Sequence, residues 1–138
     1  MRHAVLGALR IAIVVTLLGV PAAATAQSHQ AWAVNCTREQ YKPARIILSC
    51  GDAGIGLSKL AWSRWGRATA TASGRYYENL CKPTCAAGHV VSAPVEVTLS
   101  TPKACPGHAH PAFRRATFTF PSGSPPSAFH RFTFRCPF

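Results

Sequence analysis

Long apolar runs, helical stripes, acidic residues and nucleophile signatures are all scarce in this chain, and each scarcity removes a class of protein. Of its 138 residues, only Ile11 to Val20 form a sustained apolar stretch. That is shorter than the ~20 residues a membrane-spanning helix needs, and no second run follows, so no transmembrane segment is expected in the mature chain. After residue 26 no segment shows a long stripe of period 3.6, and 11 prolines break the chain, which argues against a helical fold. No G-x-S-x-G or comparable nucleophile motif occurs. Neither an internal repeat nor a second domain is visible.

Acid is the scarcest charge. Four carboxylates (Glu39, Asp52, Glu78, Glu96) stand against 15 Lys and Arg. The N-terminal segment accounts for two of the cations, Arg2 and Arg10, which precede the apolar stretch; Pro21 and the small-residue run "AAATA" follow it. This is the three-part layout of a secretory signal peptide with Ala24 and Ala26 as its A-x-A site, so residues 1–26 are expected to be removed and residues 27–138 to form one secreted domain. No cysteine opens that mature chain, which argues against a lipid anchor. It keeps 138 − 26 = 112 residues and 13 cations against four acids, a formal charge of +9. Nine of the 13 are arginine, whose planar fork suits phosphate, sulfate or carboxylate. Charge alone implies solubility and non-specific attraction to polyanions, not a chosen partner.

All six cysteines (Cys36, Cys50, Cys81, Cys85, Cys105, Cys136) lie in the mature part, and an even count in a small exported chain reads as a disulfide framework. Of 15 possible pairings, spacing favours one. Pro83 sets a turn that brings Cys81 to Cys85; Cys36 and Cys50 close a loop over the first segment; Cys105 is left for Cys136. The last loop spans 31 positions, for which chain entropy gives roughly 3 to 4 kcal/mol.

Period-2 patterning supplies the fold class. "ARIILSC" reads as a strand, "GDAGIG" as a turn, and "LSKLAWSRW" and "ATATASGRYY" as two strands joined at Gly66, the second broken by Gly74. In "APVEVTLS", Val95, Val97 and Leu99 share a face opposite Glu96 and Thr98. "AFRRATFTF" and "AFHRFTFRC" flank "PSGSPPS" as a hairpin with Ala116, Phe118, Phe120, Phe132, Phe134 and Cys136 inside and Arg131, Thr133 and Arg135 outside. Residues 27–42 read as an irregular lead-in. The expectation is an all-β, disulfide-stabilised antiparallel β-sandwich or partly open barrel of about six strands.

The series "ILSCGD", "WSRWG", "ATATASG", "CKPTCAAGH" and "PVEVTLS" resembles a family of small exported actinobacterial proteins of unknown function. The resemblance covers residues 36 to 100 and rests on the tryptophan pair and the C-x-P-x-C-A-x-G pattern. It implies no activity, cofactor or catalytic residue.

Several constellations invite a functional reading. Cys81, Cys85 and His89, with His108 or His110, have the makings of a zinc clip, but Pro83 and Gly88 oppose the helix it needs and exported thiols oxidise. A redox pair needs two intervening residues, not three. A structural staple is therefore expected, with no metal and no cofactor. "WSRWGR" interleaves Trp62 and Trp65 with Arg64 and Arg67, a mixture that stacks sugars or bases, although core filling is the readier use of both indoles. "HAH" at 108–110 reads as an exposed loop pair. Arg114, Arg115, Arg131 and Arg135 fall on the last hairpin and form the candidate anion-binding set. A ribonuclease-like hydrolase is the alternative, with Glu78 or Glu96 beside His89 or His130, but nothing in the sequence joins them. The resulting expectation is a monomeric, non-enzymatic binding module for an anionic envelope polymer or an extracellular protein, without specificity for nucleic acid.

Overall fold

The computed structural model describes residues 30–137; the expected signal peptide, 1–26, lies outside them. The described chain contains no helix. It forms eight strands: β1 (Ala33–Asn35), β2 (Arg38–Gln40), β3 (Ile46–Ile47), β4 (Ile55–Trp65), β5 (Ala70–Asn79), β6 (Val90–Lys103), β7 (Ala112–Thr119) and β8 (Arg131–Thr133). The last six make one antiparallel sheet in the order of the chain, β3 to β8, curled into a half-barrel, so the expected all-β fold and strand count hold for the main sheet.

The curl originates in β4. Ser58 pairs with Arg75 and Ala61 with Ser73, leaving two β4 residues opposite Gly74; a second slip falls between Trp62 and Arg64. Each bulge adds a residue, bends the strand and steepens its twist. The inward side chains of β4 therefore run Leu57, Leu60, Trp62, Trp65, all packed in or against the core, at intervals of three, two and three. This broken period is why "LSKLAWSRW" alternates so loosely. At the first bulge Lys59 takes a left-handed φ of 51°. Opposite it, a Cβ on Gly74 would come within 2.8 Å of the Ser58 carbonyl oxygen and 2.9 Å of Leu60 Cδ2. Gly74 thus does not break the strand, as expected from its residue type, but sits in the middle of an unbroken β5 where the bulge leaves no room for a side chain.

Downstream the pattern is regular. Val95, Val97 and Leu99 of β6 are 2% exposed or less, while Glu96 and Thr98 face water. Ala116 and Phe118 of β7 and Phe134 after β8 are buried, and Thr117, Arg131, Thr133 and Arg135 are exposed, as the hairpin pattern predicts. The β7–β8 register, Ala116 with Phe132, continues beyond both ends of β8 through Phe134 N to the Arg114 carbonyl and Phe118 N to the His130 carbonyl.

The lead-in expected to be irregular is instead the hairpin β1–β2, whose first strand packs against β7 and β3. Trp32, just before β1, bridges in parallel to Ala112 of β7. On the opposite flank Asn35 stands in for a strand at the β3 edge. Its Oδ1 accepts from Ile47 N (2.9 Å) and its Nδ2 donates to the Arg45 carbonyl (3.1 Å). An unpaired sheet edge is a liability, and here one amide side chain satisfies two of its backbone groups. Of three disulfides, Cys36–Cys50 ties the β1–β2 turn to the segment after β3, Cys81–Cys85 closes the β5–β6 loop on itself, and Cys105–Cys136 ties the C-terminal segment to the β6–β7 loop. These are the pairings that spacing favoured.

Candidate functional site

The outer face of β7 and β8 carries the most concentrated charge. Register places Arg115 opposite Thr133 and Thr117 opposite Arg131. Arg115 therefore has Arg131 as one diagonal neighbour and, because the register continues to Phe134, Arg135 as the other, each about 7–8 Å away across the strands. All three are exposed. Beside them a shallow cleft of about 190 Å3 is lined by Thr101, Lys103, Arg114, Arg115 and Thr133, three cations with two hydroxyls.

Arg114 differs from its companions. It is half-buried, its Nε donates to the Phe134 carbonyl at 2.7 Å, and one terminal nitrogen contacts Cys136 Sγ at 3.1 Å. It therefore anchors the C-terminal segment while also lining the cleft. Neither Arg115, Arg131 nor Arg135 makes a side-chain hydrogen bond or an ion pair among the described residues, whose single ion pair joins His108 to Glu39. The four carboxylates explain this. Glu39 faces His108, and Asp52 is held in a turn by Ser49 Oγ (2.7 Å) and Gly54 N (2.9 Å). Glu78 is buried under the 121–130 loop, its Oε1 accepting from Ser127 N at 3.2 Å. Glu96 pairs with Thr119, four residues along β7 from Arg115, or about 13 Å.

The tryptophan pair lies elsewhere and is already occupied. Trp62 Nε1 donates to the Pro43 carbonyl at 2.8 Å and Trp65 Nε1 to the Ala31 carbonyl at 3.0 Å. The two rings meet edge-on, 4.5 Å between centroids, and Trp65 also packs on Tyr41 and Phe113. Both indoles are thus half-buried, pack against the core and have their N–H groups satisfied by backbone carbonyls, which is the core-filling use of "WSRWGR". Arg64 and Arg67 beside them are exposed.

His108 and His110, expected in an exposed loop, are half-buried and engaged. His110 stacks on Trp32 at 4.3 Å with 5° between planes. His108 Nε2 lies 3.1 Å from the Pro137 carbonyl and Nδ1 3.4 Å from Glu39 Oε2, so this ring clasps β2 to the C-terminal tail. A carbonyl only accepts, so Nε2 carries the hydrogen of that bond. This histidine–carboxylate pair was not legible in the sequence, where 69 positions separate its members. The pairs considered there are not assembled: neither Glu78 nor Glu96 meets His89 or His130, and both histidines are exposed.

At the staple, Cys81 and Cys85 are bonded to each other. A carboxylate oxygen of Asp52 lies within 4.8 Å of both sulfurs, but disulfide sulfurs are not thiolate donors and the trio has no metal-binding character. Asn79 organises the loop by accepting from Cys81 N (3.1 Å) and donating to the Cys85 carbonyl (2.9 Å). Gly88 completes it, since a Cβ there would lie 2.9 Å from Cys81 N. The C-x-P-x-C-A-x-G pattern is therefore a packing motif in this chain. No helix of the described residues is long and apolar enough to cross a membrane. No family model, curated protein or solved structure matches the chain.

Proposed function

We propose that the protein is a secreted, non-enzymatic module that holds an anionic polymer of the cell envelope against the outer face of β7 and β8. The observation that carries this reading is the cluster of Arg115, Arg131 and Arg135, none of them neutralised by a carboxylate in a chain that has four acids. Three guanidinium groups on and just beyond the β7–β8 strand pair offer forked donors to successive phosphates or sulfates, and Lys103 and the Thr101 and Thr133 hydroxyls extend that face. Affinity of this kind comes from counterion release, so it falls steeply with salt and is indifferent to polymer sequence. The three disulfides suit an oxidising compartment, in keeping with export of a chain that begins near Gln27. Recovery of a chain with an intact residue 1 from the medium would contradict that part of the reading.

The test is retention on immobilised heparin. Changing Arg131 and Arg135 together to alanine is expected to lower the eluting salt concentration while altering stability by less than about 0.5 kcal/mol, as exposed substitutions do. Elution at the parent's salt concentration refutes the reading.

A further inference from the structure

A second site lies at the seam of the half-barrel, where the two edge strands of the sheet approach each other. Between β1 and β3 on one side and β8 with its continuation on the other is a cavity of about 590 Å3. That is within the ~300–1,000 Å3 typical of small-molecule sites. Val34, Ile47, Leu48, Phe132 and Phe134 make its walls. The Cys36–Cys50 bridge and Cys136, itself bonded to Cys105, brace those walls from both flanks, so the cavity is preformed and costs little ordering to fill. Its polar residues with side-chain donors are few: Thr37 and Thr133, and at its rim Arg135, which is exposed and has no partner among the described residues.

We infer that this cavity binds a single-chain amphiphile with an anionic head, its apolar tail between β3 and β8 and its head on Arg135. The apolar walls select the tail. The lone cation, with no acid lining the cavity, selects the sign of the head, and the guanidinium fork accommodates either a carboxylate or a phosphate ester. The cavity shares Arg135 and Thr133 with the outer arginine face, but its apolar walls from β1 and β3 and the side chains of Phe132 and Phe134 do not belong to that face, and Arg131 does not line it, so amphiphile binding and polyanion binding are separable.

Calorimetric titration of the mature protein with dodecanoate, dodecyl phosphate and dodecyltrimethylammonium, each below its micelle concentration, tests it. Dodecanoate, dodecyl phosphate or both should bind at one per chain with a negative heat-capacity change, the mark of apolar burial; which of them binds identifies the head group. The cationic amphiphile should not bind. Arg135→Gln should weaken binding at least tenfold, while Arg67→Gln, an exposed change that removes the same charge far from the cavity, should not. Ile47→Trp, which fills the cavity from its half-buried edge, should abolish binding and leave heparin retention intact; if that variant does not fold, the Arg135 and Arg67 pair decides. Absence of binding by both anionic amphiphiles, equal binding of the cationic one, or unchanged affinity in Arg135→Gln overturns the inference.

Discussion

Replacing Trp65 by phenylalanine separates a structural role for the tryptophans from a ligand-stacking one. The substitution keeps an aromatic ring against Phe113 and Tyr41 but removes the indole N–H that donates to the Ala31 carbonyl. Ala31 is fully buried, so no water replaces the lost donor. An acceptor left unsatisfied in such a place costs about 1–2 kcal/mol, and the smaller ring forfeits about 1 kcal/mol more of apolar contact. The expected loss is about 2–3 kcal/mol. At roughly 4 °C per kcal/mol for a domain of this size, the melting temperature should drop by roughly 10 °C. Trp62→Phe, which orphans the Pro43 carbonyl, should behave alike. Thermal unfolding followed by near-UV circular dichroism, with heparin retention measured on the same samples at 10 °C, is the assay. A variant that melts like the parent yet elutes earlier from heparin refutes the reasoning, because it would place the indoles in the binding face and not in the core.

Other perturbations read other parts of the molecule. Tyr76→Phe removes the hydroxyl that accepts from Phe129 N, so amide exchange across 127–130 should quicken while that of β5 and β6 stays slow; uniform quickening would show that the loop is not a separate unit. Burial above all, and the charge of Glu78, raise the Tyr76 phenol above its ordinary value, while the Phe129 N–H opposes them. A raised phenol lends stability that is complete below about pH 10 and lost as pH climbs through the folded value, so the parent should lose stability more steeply than Tyr76→Phe in alkaline melts. The Gly54 N–H, then the Ser49 hydroxyl, hold the exposed Asp52 carboxyl below its ordinary value. That contribution is present above about pH 4 and vanishes as pH falls through the folded value; Asp52→Asn should therefore flatten the acid limb of the stability curve, and identical limbs would contradict it. Non-reducing peptide mapping should recover Cys36–Cys50, Cys81–Cys85 and Cys105–Cys136 and no alkylated thiol.

The strands that could be read from residues alone are those whose inward faces keep a period of two. β6, β7 and β8 are of this kind, and Val95, Val97, Leu99, Phe118 and Phe134 point where alternation places them. β4 escaped a clean reading because its two bulges shift the phase, and Gly74 looked like a break in β5 because its actual reason, the backbone of the bulge opposite, belongs to another strand. The β1–β2 hairpin was illegible for a different reason. Its strands are three residues long, Cys36 between them adopts a positive φ of 55°, and its place is fixed by the Asn35 side chain and the Trp32 bridge, which are tertiary contacts with no local signature. In the candidate site, Arg131 and Arg135 followed from alternation. The division of labour between adjacent Arg114 and Arg115 did not, since it depends on the Phe134 carbonyl meeting one of them across the strand pair.

The polyanion reading is tested most directly by the salt dependence of binding to a single-stranded phosphate polymer such as oligothymidylate. Each neutralised phosphate contributes about −0.7 to the slope of log K against log salt, so removing two phosphate-binding arginines should make the slope shallower by about 1.4. Titrations of the parent and of the Arg131→Ala, Arg135→Ala double variant between 50 and 200 mM salt, roughly the range over which such contacts lose most of their affinity, should therefore give lines of visibly different slope. Parallel lines, or a parent that binds with no dependence on salt, would contradict the account.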